Sequence, residues 1–299
     1  MMSTLYPHLA KKTAAYLDKT DAQRIEYIRS PRWLSYPGAN EAIKRLENLL
    51  TEPLKHRMPN LLIIGDTNNG KTMLVKRFCN QHKPQENPTG DASIIPVLYM
   101  QAPPVPDENR FYNAILELLF APYKSADRPD KKQFQVIKLL KAVGLKMLVI
   151  DEIHHILAGV MTKQRAFLNV IKYLGNELQI PIVGVGTQDA FRAIQTDLQL
   201  SNRFDRVILP RWSNDDEFIN LLCTFEMAIP LKNPSNFAEE PAIVDLIYSM
   251  SEGYLGEVSR IMVTASIYAV ESGIEKIDKK VLGKIGWVNP SNRRREPRG

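Results

Sequence analysis

The chain of 299 residues is 44% hydrophobic and 24% charged, the balance of an ordinary folded protein and not of a fibrous or disordered one. Its longest apolar runs, at 147–150 and 180–185, are too short to span a bilayer, and residues 1–30 lack the apolar block of a secretory leader, so a cytoplasmic home and no membrane contact are expected. Two cysteines, Cys79 and Cys223, exclude a disulfide framework, while a net charge of +6 permits a polyanionic partner without requiring one.

Residues 1–30 read as mostly polar helix, followed by the proline-punctuated connector Ser30-Pro31-Arg32-Trp33-Leu34-Ser35-Tyr36-Pro37-Gly38. Helical spacing returns over 40–50, with Ile43, Leu46, Leu49 and Leu50 on one face. The apolar residues 60–64 form a first strand, and it feeds Gly65-Asp66-Thr67-Asn68-Asn69-Gly70-Lys71-Thr72. That is G-x-x-x-x-G-K-T between a strand and a helix (73–80), the setting a phosphate-binding loop requires. The glycines allow a tight turn that aims backbone N–H groups at phosphate oxygens, and the helix N-terminus adds its positive dipole end. Lys71 is placed to reach the β and γ phosphates, and Thr72 to hold magnesium through its hydroxyl. ATP and magnesium are the ligands this loop implies.

A second strand is expected at 94–100, helices at 109–120 and 131–143, and a third strand at 146–150 that runs into Asp151 and Glu152. An acidic pair on a strand tip, following a phosphate loop, points to water-mediated magnesium coordination by Asp151. Glu152, one position on, would accept a proton from the attacking water or orient it. His154 and His155 follow, but their spacing from Glu152 does not make H-E-x-x-H, so packing or hydrogen-bonding roles are expected in preference to zinc.

After a helix at 164–178, the fourth strand (180–185) ends in Gly184-Val185-Gly186-Thr187-Gln188. Lying between the first and third strands of a parallel sheet, it would bring Thr187 beside the hydrolytic water and the γ-phosphate. A helix N-cap is an alternative for Thr187 that can coexist, and Gln188 is the alternative for sensing. A short helix at 190–200 precedes Arg203, which stands before a fifth strand at 206–209. Arg203 delivered from a neighbouring subunit would stabilise charge on the transferring phosphoryl group. Arg206 competes for that role, and either could be a surface ion pair. Strands alternating with helices imply a parallel sheet covered on both faces, with functional loops at the carboxyl ends. Beyond Trp212 only helices are expected, at 215–227, 239–250, 256–271 and 278–285, and Arg260 on the third of them could reach back to the nucleotide. Arg293, Arg294, Arg295 and Arg298 then make a basic tail, a solvated end or a contact for nucleic acid or an acidic partner.

Taken together these positions resemble the AAA+ ATPases and, within them, the TniB/TnsC family of transposition regulators. The more specific marks are Trp33 with Tyr36-Pro37-Gly38, the run Arg57-Met58-Pro59-Asn60 into the phosphate loop, Asp151-Glu152-Ile153-His154, Asn176-Glu177-Leu178-Gln179-Ile180-Pro181 and Gly184-Val185-Gly186-Thr187. The resemblance implies an α/β fold, a P-loop parallel sheet flanked by helices and followed by a small all-helical lid. It divides the chain into an N-terminal segment and connector (1–39), the ATPase domain (40–211), the lid (212–286) and the basic tail (287–299). It further implies that Lys71 and Thr72 bind nucleotide and magnesium, Asp151 and Glu152 support hydrolysis, Thr187 senses the γ-phosphate, Arg203 acts in trans, Arg260 acts in cis, and Tyr36 and Pro37 flank the adenine.

In such proteins ATP-bound copies form a ring or helical filament on double-stranded DNA, recruit a transposase together with a target-selection protein of the TniQ type, and come apart on hydrolysis. DNA contact in the family follows the second strand, yet residues 101–108 here carry no basic side chain, leaving Lys124, Arg128, Lys131 and Lys132 as the candidates for phosphate contacts. The alternatives are a helicase loader or replication initiator on the same core, and a nucleotide-gated recruitment scaffold with little hydrolysis.

Overall fold

The computed structural model describes residues 6–88, 90 and 92–293. Two polar helices come first, α1 (Lys11–Ala14) and α2 (Asp21–Arg29). A reciprocal capping box, Thr20 with Gln23, starts α2, and Ser30 ends it because the residue before Pro31 is biased away from helix. The remaining elements alternate: α3 (Pro37–Leu50), β1 (Asn60–Gly65), α4 (Lys71–Gln81), β2 (Val97–Gln101), α5 (Glu108–Leu118), α6 (Pro129–Ala142) and β3 (Met147–Asp151). After a 3-10 turn over Ile153–Ala158 come α7 (Met161–Leu178), β4 (Ile182–Gly186), α8 (Gln188–Gln195), α9 (Leu198–Ser201) and β5 (Phe204–Leu209).

The five strands form one sheet in the order β2-β3-β4-β1-β5, every neighbouring pair parallel. Strands β1, β3 and β4 are buried along their whole length, as strands covered on both faces must be, so they read as unbroken apolar runs without alternation. Helices on one side contribute Phe111, Ile115, Val136, Leu140, Phe167 and Leu174 to a continuous core with Leu62, Leu148 and Ile150.

Proline moves two strand starts from where the apolar runs begin. Pro96 cannot donate to the ladder, and its carbonyl instead accepts from the N–H groups of Lys146 and Met147 at 2.9 and 3.0 Å, so β2 opens at Val97 and Ile94 pairs antiparallel with Gln85. Pro181 does the same for β4, whose first N–H, on Ile182, donates to the buried Asn60 side chain at 2.9 Å. The single helix expected at 190–200 is two, because the Asp197 carboxylate caps a new N-terminus through the N–H groups of Gln199 and Leu200.

From Arg211 the chain is all helical: α10 (Asp216–Ala228), α11 (Pro241–Ser251), α12 (Leu255–Glu271), α13 (Lys279–Lys284) and α14 (Pro290–Arg293). Contacts divide the molecule into a sheet unit, Pro37–Pro210, and a helical unit made of the chain up to Tyr36 and from Arg211 onward. The segment read from the sequence as a separate N-terminal piece, 1–39, thus divides at Tyr36. Its first part packs in the helical unit, where Ile28 joins Phe218, Leu222, Ile247, Val258 and Ile261 in the core. Arg24 fixes it there. Its guanidinium, 1% exposed, bonds both Glu275 oxygens at 2.8 and 2.5 Å and the Pro230 carbonyl at 2.7 Å. Removing either partner of such a pair costs about 3–5 kcal/mol, because the survivor stays buried and charged. Residues 294–299, with Arg294, Arg295 and Arg298, lie outside the described residues.

Candidate active site

The strand order decides which loops meet. Strand β4 lies between β3 and β1, with Ile64 opposite Gly186 and Ile150 opposite Gly184, so Gly65, Asp151 and Gly186 end three adjacent strands. The carboxyl edge of a parallel sheet is where ligands of such folds bind.

The loop after β1 turns through left-handed backbone at Asn68 (φ 63°) and Gly70 (φ 79°), and α4 starts at Lys71. Gly70 supplies the bend that aims the first N–H groups of α4 inward. Gly65 is needed for a different reason, since a Cβ there would lie 2.9 Å from the Leu209 carbonyl of β5. Asn69 ties the loop to that strand end, its side-chain amide donating to the Leu209 and Pro210 carbonyls, both at 2.9 Å. Asp66 is half-buried, while Thr67 and Asn68 are exposed at the loop tip. The Lys71 ammonium is buried and donates to the Gly65 and Asp66 carbonyls at 2.9 and 2.6 Å. Burial lowers its pKa, and the carboxylates of Glu152, Asp151 and Asp66 pull the other way.

Thr72 Oγ1 donates to Asp151 Oδ2 at 2.7 Å, which joins the two candidate magnesium ligands across 79 residues of sequence. Tyr99 on β2 donates to the same oxygen at 2.9 Å, and the Glu152 N–H donates to Oδ1 at 2.8 Å. Asp151, 2% exposed, is therefore held on both oxygens. Burial, and then the bond to Asp151, push the Tyr99 phenol well above its ordinary range, so it stays a donor. Sequence reasoning missed Tyr99; its one signal is its position on the opposite face of β2 from Leu98 and Met100. Glu152 takes left-handed backbone (φ 54°), turning the chain sharply out of β3. Its Oε2 lies 3.1 Å from His154 Nδ1, whose pKa burial lowers against the pull of Glu152.

Thr187 occupies the N-cap position of α8, but its side chain makes no capping bond, and its Oγ1 is buried without a hydrogen-bond partner among the described residues. An orphaned hydroxyl beside the acidic pair suits a ligand oxygen better than a cap. The neighbouring Gln188 is exposed. Together the left-handed loop, the buried ammonium, the Thr72–Asp151 pair and the free Thr187 hydroxyl fit a magnesium–nucleotide: cationic and N–H donors for phosphate, oxygen ligands for a hard cation.

Arg203 lies at the other edge. It precedes β5, its carbonyl accepts from the Asn60 N–H at the start of β1, and its guanidinium donates to Asn176 Oδ1 at 2.9 Å and to the Met58 carbonyl at 3.2 Å. Arg206 is exposed and sits over the Phe191 ring at 5.2 Å. In the helical unit, Arg260 is 63% exposed, 3.8 Å from Glu257, and Tyr36 packs edge-on against Trp212 with burial pushing its phenol up to about 12. Pro37 is exposed at the start of α3.

One expected DNA contact is corrected. Lys132 is 1% exposed, donates to the Ser125 carbonyl at 3.2 Å and lies over the Tyr123 ring, so its ammonium serves the α6 packing and cannot meet phosphate. Lys131 is exposed but paired with Asp127 at 2.7 Å, and Lys124 and Arg128 are exposed.

Among the described residues no helix is long and apolar enough to cross a membrane. A family model described as bacterial TniB protein matches residues 24–214. No curated protein matches the chain. Among solved structures, the Aeropyrum pernix ORC2 protein in its ADPNP-ADP complexes aligns with TM-score 0.59 at 14% identity, covering 87% of this chain and 70% of that one. The Aeropyrum pernix ORC1 protein in complex with DNA aligns with TM-score 0.58 at 15% identity over 88% and 68%. Drosophila ORC bound to DNA gives 0.56 at 14% over 90% and 65%. At these identities the likeness is one of fold, and the family match supplies the rest: a five-stranded parallel sheet with its phosphate loop, acidic pair and third tip on adjacent strands, the chain belongs to the TniB family and has the AAA+ ATPase fold.

Proposed function

We propose that this chain hydrolyses ATP, and that its ATP-bound copies assemble on duplex DNA as a regulator of transposition, recruiting a transposase and a TniQ-type target selector and coming apart on hydrolysis. The observation that carries the reading is the separation of Arg203 from the phosphate loop. Strand β1 has six residues, and a rise of roughly 3.3 Å from each to the next puts about 17 Å between its two ends. A guanidinium that far from its own loop reaches phosphate only in a neighbouring copy, so a site using Arg203 is completed in trans.

Within one copy, the N–H groups of the 65–72 loop and the Lys71 ammonium hold the phosphates, with Thr72 and Asp151 placed for magnesium. When bound, the ion neutralises charge on the phosphate oxygens. Tyr99 and the Glu152 N–H orient Asp151 for that task. Glu152 orients the water and takes its proton, and Thr187 offers its hydroxyl to the γ-phosphate or the water. Tyr36 and Pro37 flank the adenine, and Arg260 acts in cis from the lid. Lys124, Arg128 and Lys131 meet DNA phosphates, which makes binding largely indifferent to sequence and steeply weaker in salt. Support for the nucleic-acid partner comes from the DNA-bound structural neighbours and from the family.

Electron microscopy and sedimentation with ATP and long duplex DNA test the reading. Assemblies that require ATP and are absent with ADP are expected; a lone particle at saturating ATP overturns it. The origin-recognition neighbours favour one second reading, a helicase loader or replication initiator. Pull-down against a transposase and against a replicative helicase separates the two. Steady-state phosphate release that rises with DNA would exclude a recruitment scaffold.

A further inference from the structure

We propose that Glu152, His154 and His155 form a site for a borderline divalent transition metal, with zinc as its natural occupant, and that occupancy withdraws the Glu152 carboxylate from hydrolysis. One donor atom from each residue lies within 4.8 Å of the others. The backbone produces this convergence: Glu152 turns through left-handed φ, and a 3-10 turn begins at Ile153. The Glu152 carbonyl accepts from the His155 N–H at 3.0 Å, which closes the turn that carries positions 152, 154 and 155 together.

The imidazoles are poised as ligands. His155 Nδ1 is buried with no hydrogen-bond partner among the described residues, His154 Nδ1 is buried facing only the Glu152 carboxylate, and the rings stand 4.9 Å apart, tilted by 56°. A buried nitrogen left unpaired calls for an explanation, and an ion is one. His154 Nδ1 already lies 3.1 Å from Glu152 Oε2, close to the spacing of two donors on a tetrahedral ion with ligand bonds of about 2.0–2.2 Å. Clearance comes from Gly186, where a Cβ would stand 3.3 Å from that nitrogen.

Two imidazoles and one carboxylate select zinc, nickel or copper over magnesium, which prefers oxygen ligands. Three protein donors leave a fourth position for water. This set therefore differs in chemistry from the Thr72–Asp151 pair, which offers oxygen alone. A carboxylate bonded to zinc accepts no proton, so turnover stops while the loop and Lys71 still hold nucleotide. That consequence rests on the role proposed above for Glu152; the binding itself does not.

The test uses the full chain, metal-free and without nucleotide, titrated with cobalt(II) as a spectroscopic probe and then with zinc. One cobalt per chain with a tetrahedral visible spectrum, displaced by zinc, is expected. Affinity should fall about 10–100-fold in His155→Gln, which keeps the ring's volume, and likewise in His155→Ala, while Cys79→Ser changes nothing. In magnesium-supported hydrolysis, zinc should stop the parent and spare His155→Gln, whose zinc-free turnover matches the parent. No cobalt spectrum, parent-like affinity in both His155 variants, or equal zinc inhibition with and without His155 overturns the site. His155-dependent cobalt binding in a chain that never hydrolyses ATP leaves the site standing and removes the ATPase reading instead.

Discussion

The two edges of the sheet are built from the same five strands and do opposite things. At the carboxyl edge the strand tips are crowded with partly satisfied polar groups: a buried ammonium, a carboxylate held on both oxygens, a hydroxyl with no partner among the described residues. At the amino edge most polar groups bond one another, Asn60 with Ile182 and the Arg203 terminal nitrogens with Asn176 and Met58, while Arg203 Nε is buried without a partner among the described residues. One edge is arranged to receive a ligand, and the other holds an arginine at a set position. Burial lowers the Arg203 pKa, with Arg57 nearby adding to the effect, yet a guanidinium remains charged at any working pH. On the reading proposed above, each edge would contribute half of a catalytic site, and stacking of copies would join them.

The comparison breaks most completely at Lys71. Lys71→Ala should weaken nucleotide binding at least 100-fold in a fluorescent-nucleotide titration, and parent-like affinity would remove the carboxyl edge from consideration. Arg203→Ala comes next: turnover falls about 10³-fold with nucleotide affinity unchanged. Mixing those two inactive chains sharpens the point, because an intact loop in one faces an intact arginine in the other. Partial recovery of phosphate release is expected, whereas a cis role for Arg203 gives none. Asn176→Ala, which removes one of the two partners of the guanidinium and leaves the Met58 carbonyl, should keep most of the turnover.

Glu152→Gln should slow hydrolysis about 10²–10⁴-fold and leave assemblies standing on DNA in ATP, followed by sedimentation. Rapid disassembly in that variant would assign the base elsewhere. The smallest effect belongs to Tyr99→Phe, which removes one of two donors to Asp151 Oδ2. A net loss of about 1 kcal/mol, seen as a roughly fivefold higher magnesium requirement, is expected. No change would mean that Thr72 and the Glu152 N–H suffice to hold Asp151.

Much of the carboxyl edge is legible in sequence because phosphate chemistry is local there: the loop needs its glycines, lysine and threonine within eight positions, and the acidic pair is adjacent. The strands were also readable, since burial on both faces leaves long apolar runs, though Pro96 and Pro181 moved two starts and Asp197 split a helix. What sequence hides is anything that depends on where a side chain points across the sheet. Tyr99 reaches Asp151 only because β2 pairs with β3 in a register that sets Gln101 beside Asp151. Lys132 reads as one more basic residue at a helix start, and only the packing of α6 turns it inward. The two histidines carry no recognised metal spacing, and a left-handed residue followed by a 3-10 turn is what gathers their nitrogens.

The sequence by itself determined the elements and the ligand chemistry of the loop, because backbone turning, helix capping and apolar runs are set by neighbours a few residues apart. Only the tertiary structure decided which tips adjoin, which cations are buried and which edge Arg203 occupies. Strand order and burial are settled by contacts between residues far apart in sequence, and the free energy of those contacts leaves no periodic trace along the chain.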